Sequence, residues 1–461
     1  MAATSVIDRA RTTGFHRKLT LYSSGGPFID AYVLSIIGVA LVQAEGDLGL
    51  GSVEIGLIGA AALVGIFVGG LTFGYITDRV GRQTMYTIDL LLLIVGSILC
   101  LFVDAVWQLL ALRFLLGVAI GADYPIATSL LAEFVPVRGR GFLLGALTLA
   151  WAAGAVTAYL VGYAMLGLGD DAWRWMLVTP AIPGIATVLL RLGTPESPRW
   201  LLSKGRVEEA REVVTQVYGS DAGLEDLPEE EAVETNFSKV WRQPYLSRMI
   251  FAGLYWMLQV TPLYAVITYG PSIFEELGFG EGNQTYIVAA IIEIAFLVGT
   301  VPAMFASERM GRRSLSLWCF SLMAVGLTLA AVAPGHPAAV LIGFGAYAIF
   351  SGGPFILQWI YPNEIFPTDV RATAFGIATA VSRIGAASGT FLVPLSIEHW
   401  GIGTTLFIAV GLTLAGALIT WAMAPETKDL SLTEAAGVRG TYRRARRRAP
   451  AITGRRTTLA R

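Results

Sequence analysis

Charge is scarce in this chain. Of its 461 residues only 15% are Asp, Glu, Lys or Arg, while 54% are hydrophobic. An ordinary soluble domain carries roughly 25% charge, so composition argues against a water-solvated globule. Cysteine is nearly absent. Cys100 and Cys319 both fall in apolar stretches, which gives no support to a disulfide framework and fits core packing. The three histidines, His16, His336 and His399, lie outside the apolar interiors, and no nucleotide loop, metal-ligand cluster or nucleophilic triad is present. An enzyme, a metal site and a bound cofactor are therefore not expected. A net charge of −1 gives no reason to expect a nucleic-acid partner. No small-residue cleavage site precedes the first apolar run, so no removable signal peptide is expected.

What the chain does have is length in apolar runs. Twelve of them cover 18–42, 53–76, 84–103, 107–131, 141–165, 173–193, 248–270, 284–306, 314–333, 337–361, 371–395 and 402–424. Each is long enough to cross a ~30 Å hydrocarbon layer as a helix. If residue 1 is cytoplasmic, thirty of the 33 basic residues lie on the cytoplasmic side, Arg174 lies at an outer edge, and Arg113 and Arg383 lie within the membrane. That asymmetry places both termini on the cytoplasmic side of the membrane. The Arg-rich tail from Tyr442 to Arg448, with Arg455 and Arg456, reads either as a topogenic tail or as a contact for anionic lipid headgroups.

Three signatures recur at a nearly fixed offset. DRVGRQ at 78–83 returns as ERMGRR at 308–313, 230 residues on. Glu133, Pro136 and Arg140 return as Glu364, Pro367 and Arg371 at 231, and PES at 195–197 returns as PET at 425–427 at 230. A duplicated six-helix unit explains all three. With an even number of spans per copy, both copies have the same orientation, the parallel-repeat plan of a two-bundle transporter. The expected fold is an all-α membrane protein of 12 transmembrane helices in two six-helix bundles. Its divisions are an N-terminal bundle at 1–193, a cytoplasmic linker at 194–247, a C-terminal bundle at 248–424 and a basic tail at 425–461. Within the linker, RVEEAREVVTQVYG has amphipathic helical spacing and LEDLPEEEAVET is an acidic connector.

GYITDRVGRQ, RFLLGVAIGA, TPESPRWLL, YPNEIFPTDVRATAFG and APETKDLSL together resemble the major facilitator superfamily over essentially the whole chain, and its sugar-porter branch in particular. GADYP also resembles helix 4 of the phosphate:proton symporters. The resemblance implies alternating access, a small-molecule substrate moved with protons, and a monomer in the lipid bilayer. The chain departs from true sugar porters at their substrate glutamines. Leu258, Gln259, Pro262 and Tyr264 stand at the helix-7 positions and Thr148 at the helix-5 position, which weighs against a hexose.

Charges embedded in apolar runs cost ~3 kcal/mol or more each and mark functional positions. Asp30 sits mid-run in GGPFIDAYVLSIIGVAL and Arg113 lies within the fourth run. The resemblance implies that they pair. Displacing the arginine would then let Asp30 take a proton, with a static helix-orienting pair as the alternative. Gly117 and Gly121 follow Arg113 at four-residue steps and make a small-residue seam. Tyr124 shares the arginine's face, whereas Asp123 is turned away from it. Asp123 therefore reads as a second proton acceptor, a substrate contact, or a side chain paired to a neighbouring helix. Glu293 in the eighth run and Arg383 in the eleventh are either partners or substrate ligands, Arg383 suiting a carboxylate or phosphate. Trp256, Gln259 and Tyr264, on a run expected to kink at Pro262, and Gln358 and Trp359 on the tenth run, are candidate cavity-lining residues. The resemblance assigns Asp78, Arg82, Glu133, Arg140, Glu308, Arg312, Glu364 and Arg371 to cytoplasmic gate networks that latch the bundles together.

The leading reading is a proton-coupled symporter importing a small polar metabolite, either an organic acid or sugar-like. A facilitative sugar or polyol uniporter is an alternative. A drug:proton antiporter is disfavoured because the fifth run, GFLLGALTLAWAAGAVTAYLVGYAM, has no proline. A membrane sensor ranks last, since neither the linker nor the tail offers a signalling domain.

Overall fold

A computed structural model describes residues 14–134, 140–219, 223–224, 240–279, 283–428, 430 and 435. Fourteen α-helices occupy these segments. They are α1 Gly14–Leu48, α2 Ser52–Val80, α3 Arg82–Leu99, α4 Val106–Phe134, α5 Arg140–Met165, α6 Ala172–Val178, α7 Ala181–Arg191, α8 Pro198–Ser203, α9 Val207–Tyr218, α10 Tyr245–Phe274, α11 Asn283–Met310, α12 Arg312–Val332, α13 Pro337–Ile365 and α14 Thr368–Met423. No strand occurs among the described residues. Eleven helical stretches are long and apolar enough to span a bilayer, and the last of these, Thr373–Met423, counts twice. It breaks at Gly401 (φ 77°, ψ 165°) into two lengths that each exceed the ~20 residues a crossing needs. α6 and α7 together make one crossing, interrupted at Thr179–Pro180.

Helices α1–α7 pack mainly among themselves, α2 on α4, α1 on α5, and α3 on both α4 and α7. Helices α10–α14 do the same, α10 on α14, α11 on α13, and α12 on both α13 and α14. Three seams join the two groups: α2 with α14, α5 with α11, and α1 with α10. The acidic connector 225–239 and the Arg-rich tail lie outside the described residues. α9 docks back on the first group, its Tyr218 hydroxyl donating to the Phe134 carbonyl at 2.6 Å.

The duplication is visible in packing as well as in motifs. A Cβ on Gly117 would lie 2.0 Å from the Ala62 carbonyl oxygen and one on Gly69 2.1 Å from that of Val118. α2 and α4 therefore touch backbone to backbone, the close approach that small residues permit between helices in lipid. Gly299 and Gly352 stand 230 and 231 residues after Gly69 and Gly121. They make the same kind of contact between α11 and α13, with a Gly299 Cβ only 1.9 Å from the Ile349 oxygen.

A second echo closes the charged end of each group. The chain turns into α3 through Gly81 (φ 113°) and into α12 through Gly311 (φ 90°), a region that favours glycine. Arg82 N and Gln83 N then donate to the Glu196 carboxylate at 3.1 and 3.0 Å. Arg312 N and Arg313 N donate to the Glu426 carboxylate at 2.9 and 3.2 Å. An anion at a helix N-terminus satisfies orphan N–H groups and meets the positive end of the helix dipole. These are the glutamates of PES and PET, so each half ties its exit segment to the start of its own third span.

Candidate functional site

Asp30 is fully buried in α1, and neither carboxylate oxygen has a hydrogen-bond partner. One helical turn earlier, Gly26 presents its bare Cα to the carboxylate of Asp123 on α4. A Cβ on Gly26 would lie 2.3 Å from both Asp123 oxygens. Asp123 is also fully buried and unpartnered. The surrounding backbone is opened by Pro27, which has no N–H to give the Ser23 carbonyl. The Tyr86 hydroxyl of α3 fills the gap. It accepts from Gly26 N at 3.2 Å and donates to the Tyr22 carbonyl at 3.1 Å.

Two further groups, which the sequence pattern alone does not single out, complete this cluster. Asp89 stands three residues after Tyr86 on α3. It is fully buried, with Oδ1 accepting from Leu90 N at 2.6 Å and Oδ2 unpartnered. Arg191 of α7 is 2% exposed, its guanidinium lying 3.5 Å from the Tyr86 ring centre and 5.5 Å from that of Tyr22. The signals were present: TIDLLLLIV carries an aspartate inside an apolar run, and Arg191 ends another. The charges that act on Asp30 are those of Asp123, Asp89 and, from α14, Arg383.

Arg113 does not pair with Asp30, which corrects the expectation drawn from family resemblance. It is buried, and its Nη1 donates to the Val33 carbonyl at 2.9 Å. Val33 lies three residues beyond Asp30, nearly one turn farther along α1, with Cys100 and Tyr269 as the arginine's other polar neighbours. A helical offset of this size is invisible in a list of charged residues, and it removes the partner from reach.

The second group of helices presents a different set. Arg383 of α14 is 4% exposed and donates from Nη1 to the Tyr264 hydroxyl at 2.6 Å, with its charge 5.4 Å from that ring's centre. On α10 and α13, Trp256 Nε1, both polar atoms of Gln259 and Gln358 Oε1 are buried without hydrogen-bond partners. Each such atom costs about 1–3 kcal/mol unless something satisfies it. The rings of Trp256, Trp359 and Phe375 stand 5.3, 5.3 and 5.5 Å apart. Glu293 of α11 is buried with Oε2 unpartnered, near the hydroxyls of Tyr159 and Tyr347. Trp151 of α5 reaches across to Phe296 and Phe355, with centroids 6.4 and 5.6 Å away. α10 breaks its helical geometry at Tyr269 (φ −120°, ψ 19°), not at Pro262. The cause is Pro271, which gives no N–H to the Ile267 carbonyl. That carbonyl is taken instead by the Tyr159 hydroxyl from the other group.

Contacts between the groups gather at the end away from the charged loops. The Tyr269 hydroxyl donates to the Ile55 carbonyl at 3.0 Å, the Ser52 hydroxyl meets the Glu398 carboxylate, and Gly38 abuts the Thr268 carbonyl. At the charged end, the pairings described stay within one group. Arg312 bridges to Glu364 at 2.9 Å, the other Glu364 oxygen accepts from Thr427, and Arg371 Nε donates to the Phe366 carbonyl at 3.2 Å. Glu308 is exposed, and Arg82 contributes its backbone N–H to Glu196. The side chains of Asp78, Tyr124, Glu133 and Arg140 lie outside the described residues.

The "Sugar (and other) transporter" family model matches residues 10–438. The chain is 41% identical over 428 residues to the putative metabolite transport protein YaaU of Escherichia coli, covering 93% of this chain and 96% of YaaU. It is 35% identical to the inner membrane metabolite transport protein YgcS of the same organism, covering 92% and 95%. Among solved structures, the partially occluded inward-open form of the xylose transporter XylE from E. coli aligns with a TM-score of 0.78 at 23% identity. That alignment covers 91% of this chain and all of the other (100%).

Proposed function

The chain belongs to the sugar (and other) transporter family, and is therefore a multi-pass membrane transporter of major facilitator fold and not an enzyme; from that premise we propose that it imports a small polar metabolite, an organic acid or sugar-like, together with protons by alternating access. The charged end faces the cytoplasm on the positive-inside rule, and the contacts between the halves at the opposite end support closure toward the outside. A single chain acts alone in a bacterial cytoplasmic membrane.

The observation that carries proton coupling is Asp30. It is a fully buried carboxylate with no hydrogen bond or ion pair among the described residues, on the helix that meets α10 of the other group. An ionised carboxylate there is costly, and a proton relieves the cost without moving any helix. Asp123 shares the proton. Arg113 anchors α1 to α4 through Val33 in place of neutralising Asp30 directly. Trp256, Gln259, Tyr264, Glu293, Gln358, Trp359 and Arg383 bind the substrate, with Tyr124 on the α4 side. The unpartnered amide and indole atoms among them supply the donors and acceptors that a hydroxylated or anionic solute requires. The loop charges from Asp78 to Arg371 serve as the cytoplasmic gate, and the described ion pair among them, Arg312 with Glu364, lies within one half. Structures of similar fold include a proton:xylose symporter.

The test uses proteoliposomes with a pH dye inside and D-xylose, myo-inositol, gluconate and inorganic phosphate as separate probes. Lumenal acidification with one probe, lost in Asp30→Asn, is expected. Solute exchange without proton movement in the wild type would make the protein a uniporter and refute the coupling.

A further inference from the structure

We propose that Asp89, acting with Asp123 beside Arg191, forms a proton-release route confined to the N-terminal half, leading from Asp30 to a cavity between α3 and α7. The proposal rests on the proton-coupled reading above and extends it to residues away from the seam between the halves.

The route is laid out by shared neighbours, with Leu90, next to Asp89, on the cavity wall. Asp123 rests on Gly26, one turn from Asp30 on α1. Gly26 N is held by the Tyr86 hydroxyl, and Asp89 lies on the Tyr86 side of α3, three residues on. Tyr86 is covered by the Arg191 guanidinium at 3.5 Å. Arg191 Nη2 donates to Gln83 Oε1 at 2.5 Å. Arg191 and Gln83, with Thr87, Leu90, Val188 and Leu192, then line a cavity of about 120 Å³. A space of that size, with the polar groups of Gln83, Thr87 and Arg191 on its wall, has room for water.

Charge balance shows why these groups form a path and not a static core. Three carboxylates, all fully buried, face two guanidiniums, Arg191 toward Asp89 and Asp123 and Arg383 toward Asp30. Five of their six oxygens lack a hydrogen-bond partner, and so do Nε and Nη1 of Arg191, itself 2% exposed. A structural ion-pair network would satisfy these atoms, because each costs about 1–3 kcal/mol when left unmet in the interior. The charged and titratable groups facing Asp89 are Asp123 from α4, Arg191 from α7, and Tyr86 on its own helix. Asp30 and Tyr22 are the nearest from α1.

The transfer balances simply. A proton leaves the Asp30 carboxylic acid for the Asp123 carboxylate, then passes to the Asp89 carboxylate and then to water in the cavity. One O–H bond breaks and one forms at each step. Tyr86 is not a carrier, since its hydroxyl is committed to Gly26 N and the Tyr22 carbonyl. Arg191 stays charged and is a positioning residue, keeping one of the two inner carboxylates ionised and ready to accept.

The experiment compares wild type, Asp30→Asn, Asp89→Asn and Asp89→Glu in proteoliposomes, using whichever of the four probes above the wild type moves. Asp89→Asn is expected to keep solute counterflow within about twofold and to lose proton-driven accumulation at least tenfold, with Asp89→Glu restoring it. Infrared difference spectra of the protein in lipid, between about pH 5 and about pH 8, are expected to lose one carboxylic acid C=O band in Asp89→Asn. Accumulation equal to wild type in Asp89→Asn, or joint loss of counterflow and accumulation, would overturn the proposal. If the wild type exchanges solute without moving protons, the coupled reading fails on its own. The infrared band then still decides whether Asp89 exchanges a proton.

Discussion

Gly117→Ala should damage this protein far more than its single added methyl suggests. The new Cβ would sit 2.0 Å from the Ala62 oxygen and 2.7 Å from both the carbonyl carbon and Cα of that residue. All three are backbone atoms of a long helix, so no rotamer change relieves the overlap. α2 and α4 would have to separate by about 1 Å or more, against neighbouring contacts at Gly65, Gly69 and Gly121 that are equally close. Overpacking of this kind costs about 1–3 kcal/mol. Gly376→Ala and Gly411→Ala supply the opposite sign, because nothing lies within 4 Å of a Cβ at either position. Alanine there gains up to about 1 kcal/mol of helix propensity. A gap of about 2–4 kcal/mol between the seam and control substitutions follows. Unfolding of the detergent-solubilised protein measures it. The same shift would carry α4 away from α1 and disturb both the Arg113–Val33 hydrogen bond and the Asp123–Gly26 contact, so probe uptake should fall at least tenfold. Gly299→Ala, whose Cβ would meet a helix backbone equally closely in the other half, should behave alike. The reasoning fails if Gly117→Ala unfolds no more readily than Gly411→Ala.

Glu426→Gln should cost about 1–2 kcal/mol through weakened capping of α12, and Glu196→Gln a similar amount for α3, both visible as lower melting temperatures. Gly311→Ala should be worse than either, because φ of 90° strains any L side chain and the Cβ would lie 2.6 Å from Glu426. Uptake by the wild type should rise as external pH falls, since the loaded carrier needs its proton. In Asp30→Asn that pH dependence should flatten, which a pH series of initial rates would record. Arg383→Lys should lower transport of an anionic probe such as gluconate at least tenfold while leaving a neutral probe less affected. Equal rates for gluconate would remove Arg383 from the binding site.

The spans, the duplication and the charged loops were legible because run length and motif spacing are properties of the chain itself. Partner choice was not. Asp30 and Arg113 are the obvious opposite charges, yet the arginine spends its hydrogen bond on Val33. The outcome depends on where two helices sit along each other's axes. Pro262 suggests the break in α10, but the break falls just before Pro271, whose freed Ile267 carbonyl needs a new partner. Pro271 has one in Tyr159. The glycine echo between Gly69 and Gly299 was hidden among 52 glycines, since nothing in a sequence says which of them touches a neighbouring backbone. Asp89 and Arg191 were readable by the same rule that found Asp30. Asp89 carries the same signal, a carboxylate inside an apolar run, whereas Arg191 sits where a topogenic charge is ordinary.

The paired glutamate caps have a mechanical consequence. Through Glu196 and Glu426, each half buckles its end to its own interior before the chain moves on, much as a belt closes on itself. Tension along the connecting segment is then borne by the buckle, not by the helices that carry solute. A half closed in this way holds the start of its third span and its exit segment together as one unit.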